Sequence, residues 1–228
     1  MINFRNIDCM VGMKEYPDKY FDLAIVDPPY GGGCNEYDAT KQRYGGRFSK
    51  YFQPKVKAER RGCGHNKYND NICEWDIAPT PEYFEELFRI SKNQIIWGGN
   101  YFELPPTRCF VVWRKLHIPL KGFEMAPVEY AWTSFNRNAV MFEVFGAGTA
   151  NNVRFHPTQK PVALYEELLD RFANDGDKIL DTHVGSGSSL IACYNMRFDV
   201  VGFEINETYY KKAQERIAEH TAQIRMDL

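Results

Sequence analysis

The chain has 228 residues, which is long enough to bury a substantial core as one domain or a large α/β unit. Hydrophobic residues make up 44% of it, charged residues 25%, and the formal net charge is −2. These values are ordinary for a soluble globular protein, and no apolar run approaches the roughly 20 residues needed to cross a bilayer, so a membrane-spanning class is excluded.

The start of the chain and its cysteines predict a cytoplasmic protein. The first ten residues, MINFRNIDCM, lack the apolar segment of a signal peptide. The six cysteines are scattered, which suggests reduced thiols rather than a disulfide framework. Cys63, His65 and Cys73 lack a fourth ligand at metal-site spacing, so no metal is predicted.

Strands and helices alternate along the chain. Short, continuously apolar runs predict strands at 22–27, 94–99, 109–115, 178–183 and 199–204. Helical periodicity predicts helices at 80–91, 161–173 and 206–224. Strands without polar alternation are typical of a sheet covered on both faces, so we expect a doubly wound, mainly parallel α/β fold in a single domain, 1–228. Two stretches, 31–76 and 116–155, are longer than ordinary connections and are expected to be irregular inserted loops.

The first strand ends in an unusual turn, FDLAIVDPPYGGG at 21–33. Asp27, Pro28, Pro29 and Tyr30 bring a carboxylate, a rigid turn and an aromatic ring to one point. A chain reversal needs less chemistry than this. The turn therefore indicates a ligand site, although a Pro-Pro turn that caps a strand explains it when it is taken alone.

A basic arm follows that turn. Between Lys41 and Lys67 there are nine Lys and Arg residues and a single acid, Glu59, with aromatic residues interleaved. Such a segment attracts phosphates and can stack on bases, although a solvated loop explains the charge equally well. The candidate DNA contacts in it are Arg43, Arg47, Lys50, Lys55, Lys57, Arg60 and Arg61.

The C-terminal part, 156–228, has the features of a nucleoside site. Asp181 ends a strand, a Gly-Ser-Gly loop at 185–187 precedes a helix, and Glu204 ends the next strand. A carboxylate about 20 residues beyond such a loop typically holds ribose hydroxyls. The P-loop pattern is absent and the dinucleotide pattern is incomplete. Since Asp181 would repel a pyrophosphate, S-adenosylmethionine suits this site better.

Four motifs together resemble the β-class, permuted DNA amino-methyltransferases. They are DPPY (27–30), IIWGGNYF (95–102), HPTQKP (156–161) and DTHVGSGSS (181–189), with the catalytic motif first and the cofactor loop last. The resemblance spans nearly the whole chain and implies a Rossmann-like methyltransferase fold that uses S-adenosylmethionine. One departure stands in the loop, where Thr182-His183 replaces the family's Pro-Phe.

The resemblance also implies residue roles. Asp27 and the Pro28 carbonyl would accept the hydrogen bonds of an exocyclic amine, the rigid Pro28-Pro29 turn would aim that carbonyl, and Tyr30 would stack on a flipped-out base. The residues expected to hold the cofactor are Asp8, Asp27, Thr158, Lys160, Asp181, His183, Gly185, Ser186, Gly187 and Glu204. Double-stranded DNA is the expected partner, 31–76 and 116–155 are the expected recognition segments, and a homodimer and a cognate restriction endonuclease remain open.

Several alternatives remain at this point. Asp27 favours adenine, because cytosine-N4 enzymes of this kind more often begin the motif with Ser. RNA and protein-glutamine methyltransferases tend to carry Asn-Pro-Pro-Tyr after the cofactor loop, the reverse of the order here. A non-catalytic nucleic-acid-binding module would keep the basic arm, but it would not need Asp27, Tyr30, Gly185 and Glu204 together.

Overall fold

The computed structural model describes residues 1–31, 77–121, 126–147 and 154–222. Its elements in chain order are β1 (Ile2–Asn6), α1 (Cys9–Met13), β2 (Phe21–Val26), α2 (Pro81–Ile90), β3 (Ser91–Trp97), a 3-10 turn (Gly99–Tyr101), β4 (Phe110–Lys115), β5 (Val128–Thr133), β6 (Val140–Val144), α3 (Val162–Phe172), β7 (Lys178–Asp181), α4 (Ser188–Asn195), β8 (Asp199–Glu204) and α5 (Glu207–Ala222).

The eight described strands form one sheet in the order β1-β8-β7-β2-β3-β5-β4-β6. Every neighbouring pair is parallel except the two that involve β5, which runs antiparallel to both β3 and β4. The mainly parallel α/β fold expected from the sequence is therefore confirmed. Within the described residues, no helix is both long and apolar enough to cross a membrane.

Both faces of the sheet are buried, which explains the continuous apolar runs. On β2, Leu23 and Ile25 pack in one cluster with α3 and α4, whereas Ala24 and Val26 pack in a second cluster with α1 and α2. A fully buried leucine such as Leu87 of α2 contributes about 1.5–3 kcal/mol relative to an exposed one.

The expectation that 116–155 is irregular is wrong in part, because β5 and β6 lie within it. β6 is an edge strand whose residues alternate between half-buried and exposed, and β5 begins with the exposed Val128 before its buried residues. Neither strand has a continuous apolar run like those from which β2, β3, β4, β7 and β8 were predicted. The short elements β1 and α1 were also missed, while the predicted helices agree with α2, α3 and α5 to within a few residues.

The sheet has a topological switch point between β2 and β7. These strands are parallel neighbours, with Leu23 opposite Ile179. From β7 the sheet continues through β8 to β1, whereas from β2 it continues in the opposite direction to β3. In open α/β sheets, ligands bind in the crevice at the carboxyl ends of such strands. Asp27 and Asp181 both lie at that edge.

Candidate active site

Asp27 stands directly after β2 with both carboxylate oxygens engaged. Tyr30 donates its hydroxyl to Oδ1 at 2.7 Å, and the Lys160 ammonium donates to Oδ2 at 2.5 Å. Two rigid prolines separate Asp27 from Tyr30, so the chain turns tightly enough for the phenol to reach back to the carboxylate. The DPPY turn is therefore built around the Asp27 carboxylate.

The Tyr30 ring is held on its other side by the segment after β3. It stacks on Tyr101 with ring centroids 4.8 Å apart. Gly98 has a positive φ of 66°, and a Cβ there would lie 2.2 Å from the Tyr30 ring. Burial raises the pKa of Tyr30 well above its usual value, and the Asp27 charge adds to this, so the phenol keeps its proton.

Lys160, which precedes α3, is buried with its charge shared between two acids. Its side chain is 3% exposed and pairs with Asp27 and, at 3.3 Å, with Glu129 Oε2. Burial acts most strongly on this group and lowers the pKa of Lys160, but the two carboxylates together outweigh it and leave the pKa above its usual value. The ammonium also lies 5.1 Å from the centre of the Trp97 ring. Lys160 therefore remains a cation beside Asp27.

Sequence reasoning missed Glu129. It lies on β5, and its Oε1 pairs with Lys115 of β4 at 2.6 Å. Burial raises the pKa of Glu129, but the charges of Lys160 and Lys115 outweigh it and the pKa falls below its usual value. The sequence feature that could have indicated a role for Glu129 is its position as an acid in the otherwise apolar run PVEYAW.

The second cluster lies around the glycine loop after β7. Asp181 is buried and accepts hydrogen bonds from the Ser189 hydroxyl and, at 2.9 Å, from the His183 N–H. Burial raises the pKa of Asp181 to about 7, against those two hydrogen bonds. Glu204 at the end of β8 accepts the Gly185 N–H at 2.8 Å. The predicted acids therefore flank the predicted loop.

The loop itself depends on its two glycines. Gly185 and Gly187 have φ values of 54° and 79°, which side-chain-bearing residues rarely adopt. Gly187 is the N-cap of α4, so the free N–H groups of that helix face the loop. Ser186 is buried, and its hydroxyl lies 3.1 Å from that of Ser188.

His183 belongs to a chain of hydrogen-bonding groups rather than to the catalytic turn. Its Nδ1 lies 2.9 Å from the Thr182 hydroxyl, which lies 2.6 Å from the Tyr83 hydroxyl of α2. Burial lowers the pKa of His183 to about 4, so the ring is neutral at pH 7. These contacts link the loop to the helix that follows the catalytic segment in the chain.

Asp8 and Thr158 make their hydrogen bonds within their own segments of the chain. Asp8 caps α1 by accepting the Met10 N–H at 2.8 Å. Burial raises the pKa of the next residue's thiol, Cys9, and the charges of Asp8 and Glu204 raise it further. Thr158 is exposed, with its hydroxyl 3.2 Å from His156 Nδ1. Their roles in cofactor binding stay predictions.

The predicted DNA contacts lie outside the described residues. Arg43, Arg47, Lys50, Lys55, Lys57, Arg60 and Arg61 all fall in 32–76, as do Cys63, His65 and Cys73. In the parts of the chain that the structure describes, no group of three His, Cys, Asp or Glu side chains could hold a metal ion.

A family model and a curated relative indicate the same family. A family model described as DNA methylase, for N6 and N4 methyltransferases, matches residues 106–215. The type II methyltransferase M.HpaI of Haemophilus parainfluenzae is 42% identical over 231 residues, which cover 90% of this chain and 70% of M.HpaI.

Solved structures agree on the fold. The M1.HpyAVI–SAM complex has a TM-score of 0.58 at 18% identity and covers 95% of this chain and 99% of its own. The PvuII DNA methyltransferase, described as cytosine-N4-specific, has a TM-score of 0.56 at 11% identity and covers 96% and 90%. At these identities the likeness concerns the fold alone.

Proposed function

Because the chain belongs to the family of N6 and N4 DNA methylases, we propose that it transfers a methyl group from S-adenosylmethionine to the N6 amine of a flipped-out adenine in duplex DNA. The observation that carries this proposal is the position of Asp27. Its carboxylate lies at the switch point of the sheet, one strand away from the glycine loop and its buried acids. An acceptor for an amine and a nucleoside site therefore share one crevice.

The residues around that crevice fit S-adenosylmethionine. Gly185 and Gly187 let a ligand approach the backbone, and Glu204 offers carboxylate oxygens at the end of β8. Two buried donors near Lys160, Gln159 Nε2 and Trp97 Nε1, have no hydrogen-bond partner among the described residues. Acceptor groups of a ligand would satisfy such donors.

The residues that would hold the cofactor are Asp8, Thr158, Lys160, Asp181, His183, Gly185, Ser186, Gly187 and Glu204. When bound, S-adenosylmethionine supplies an electrophilic methyl group on a cationic sulfur. Asp181 and Glu204 add negative charge to the pocket when they are ionised, which favours a cationic ligand. Burial raises the pKa of both carboxyls.

The chain's own contribution to the reaction is to make an amine nucleophilic. The lone pair of an exocyclic amine is delocalised into its ring, so the nitrogen attacks poorly. Asp27 accepts one amine N–H and the Pro28 carbonyl accepts the other, which favours a pyramidal nitrogen. The same acceptors stabilise the positive charge that the nitrogen gains as its bond to the methyl carbon forms. As that bond forms, the bond between the methyl carbon and the sulfur breaks and the sulfur becomes neutral. The nitrogen then releases one proton to water and becomes neutral again.

Tyr30 provides an aromatic face for the target base. Taking a base out of the duplex costs stacking energy, and a ring in the pocket offsets part of it. In the structure this ring is stacked on Tyr101 and bonded to Asp27. The incoming amine would replace the Tyr30 hydroxyl at Oδ1.

The choice of adenine rests on one residue. Asp27 stands where cytosine-N4 enzymes more often have Ser, by resemblance. The fold does not discriminate, since the PvuII enzyme shares it and is cytosine-N4-specific. The basic arm within 31–76 and those parts of 116–155 outside β5 and β6 are the proposed DNA contacts. A homodimer and a cognate restriction endonuclease are further proposed partners.

The test is transfer of tritium from labelled S-adenosylmethionine to unmethylated duplex DNA, followed by nucleoside analysis. Asp27→Ala should abolish the label, because it removes an acceptor at the amine. Asp175→Ala, an exposed aspartate in the turn before β7, is the matched control and should keep it.

Each outcome has a definite meaning. Label in N6-methyladenine that is lost only in Asp27→Ala supports the reaction, the base and the role of the carboxylate. Label in N4-methylcytosine overturns the choice of base and keeps the chemistry. No label on any DNA, with S-adenosylmethionine bound, overturns the proposed substrate.

A further inference from the structure

Two carboxylates from different parts of the sheet share one buried ammonium. Asp27 follows β2 and Glu129 lies on β5, and between them the Lys160 ammonium contacts both. Glu129 is itself fixed by Lys115 through its other oxygen. The result is a row of alternating charges, Asp27, Lys160, Glu129 and Lys115, that sums to zero.

One end of this row, Glu129 and Lys115, is held within the sheet, and the other end, Asp27, lies in the proposed active site. Glu129 and Lys115 lie on neighbouring strands, β5 and β4, and their atoms are 2.6 Å apart. Asp27 lies in the turn with Tyr30, whose hydroxyl donates to its Oδ1. An ammonium between these two acids can transfer hydrogen bonding from one to the other while it stays paired, because it has three N–H donors.

Such a transfer would matter during the proposed reaction. Asp27 must stabilise positive charge on the target nitrogen, yet its Oδ2 atom already carries the Lys160 ammonium. Two cations at one carboxylate repel each other, and the repulsion is strong where water is excluded. If Lys160 left Asp27 with no other acid nearby, an unpaired charge would be buried, which is strongly unfavourable.

We propose that Glu129 is a positioning residue for the methyl transfer: it holds the Lys160 ammonium when the target amine takes over the Asp27 carboxylate. This inference rests on the proposed function. Glu129 touches neither substrate nor cofactor and acts through Lys160. Strand β5 therefore contributes a functional group to the site, in a segment that the sequence had suggested for DNA recognition alone.

The test compares Glu129→Gln with Glu143→Gln. Both replace a carboxylate by an amide of the same shape on the two strands that flank β4. Glu143, however, is exposed on the edge strand β6. In Glu129→Gln we expect kcat to fall roughly 10- to 100-fold, the loss that follows when a reacting group is misplaced. The KM for DNA and the Kd for S-adenosylmethionine should change less than about threefold, since ground-state contacts are kept.

Two further variants separate positioning from folding. Glu129→Asp keeps the charge on a shorter side chain and should recover part of kcat. Lys115→Met removes the group that fixes Glu129 and should lower kcat in the same direction by a smaller factor. A Glu129→Gln protein that fails to fold would show a loss of far-UV circular dichroism, and Lys115→Met then carries the test.

A measurement without DNA checks the ammonium directly. In protein labelled with ¹⁵N-lysine, the Lys160 Nζ signal is identified by its loss in Lys160→Met. Two carboxylates should protect this ammonium from exchange, so we expect a visible signal in the wild type and in Glu143→Gln. In Glu129→Gln the signal should broaden.

The outcomes are distinguishable. If the wild type transfers no methyl group to DNA, the proposed function fails, and the NMR comparison still reports on the shared ammonium. If the wild type is active and Glu129→Gln behaves like Glu143→Gln, the inference is overturned. It is also overturned if Glu129→Gln weakens cofactor binding while kcat at saturation is unchanged.

Discussion

The Tyr30 ring occupies the space that a side chain at Gly98 would need. Its φ is 66°, and an added Cβ would lie 2.2 Å from the ring. In Gly98→Ala the ring must shift, which breaks its stacking on Tyr101 or its hydrogen bond to Asp27. We expect methyl transfer to fall by at least roughly tenfold, since small displacements of a positioning group are costly.

Gly176→Ala is the matched control for this variant. Gly176 also has a positive φ, 85°, but no atom lies within 4 Å of its added Cβ. Both variants should lose about 1–2 kcal/mol of unfolding free energy from the left-handed backbone. Steady-state kinetics and urea unfolding measure the two effects. Equal activity in both variants would contradict the role of the Tyr30 contact.

At the scale of single residues, the sequence indicated acids at strand ends but not their partners. Asp27, Asp181 and Glu204 were predictable because each follows an apolar run at the same edge of a parallel sheet. The pairing of Lys160 with Asp27 joins residues 133 positions apart. The resemblance implies a cofactor contact for Lys160, which stays a prediction, and it gives no sign of this ion pair. Glu129 carried no motif, because its role depends on where β5 enters the sheet.

At the scale of elements, α1 is positioned by a close approach to β8. Gly12 is buried in α1, and a Cβ there would lie 2.8 Å from the ring of Phe203. An exposed helix would gain about 1 kcal/mol from Gly→Ala. Here the overlap reverses the sign, and we expect Gly12→Ala to lose about 1–3 kcal/mol of unfolding free energy, as in other overpacked cores.

The same variant should weaken binding of S-adenosylmethionine, because Asp8 caps α1 and Glu204 follows Phe203. Calorimetric titration measures this affinity. The double variant Gly12→Ala/Phe203→Leu removes ring atoms from the overlap, so its stability loss should be smaller than the sum of the two single losses. Simple additivity would show that the two residues are not in contact.

Whether a strand could be predicted from the sequence depends on how it is buried. Strands covered on both faces, such as β2 and β8, were predictable from uninterrupted apolar runs. β6 and the first residues of β5 are not, because one face of each is open in the described structure. The antiparallel direction of β5 depends on its neighbours β3 and β4, which no local pattern records.

At the scale of the whole molecule, burial of Asp181 makes stability depend on pH. Burial raises the pKa of Asp181 to about 7 in the folded protein, above the ordinary value of 3.8. Between these values the folded state binds more protons than the unfolded state, so this group lowers stability as pH rises. Asp181→Asn lacks the effect. Its unfolding free energy minus that of the wild type should increase from about pH 4 to about pH 7 and then level off.

Urea unfolding at several pH values measures that difference. His156 and His183 have lowered pKa values, about 3 and about 4, so each adds stability as pH rises toward 6.5. These contributions are present in both proteins and cancel in the difference. A difference that does not change with pH would mean that Asp181 is ionised in the folded protein throughout this range.

The pairing of β1 with β8 has a consequence for the synthesis of the protein. Ile2 lies opposite Val200 and Asn6 opposite Glu204, so β1 leaves the ribosome long before the strand with which it pairs. At roughly 5–20 residues per second, that interval lasts on the order of 10–40 s. The DPPY turn therefore emerges long before the cofactor loop is translated. A nascent chain therefore carries Asp27 early, but it completes the glycine loop and Glu204 only much later.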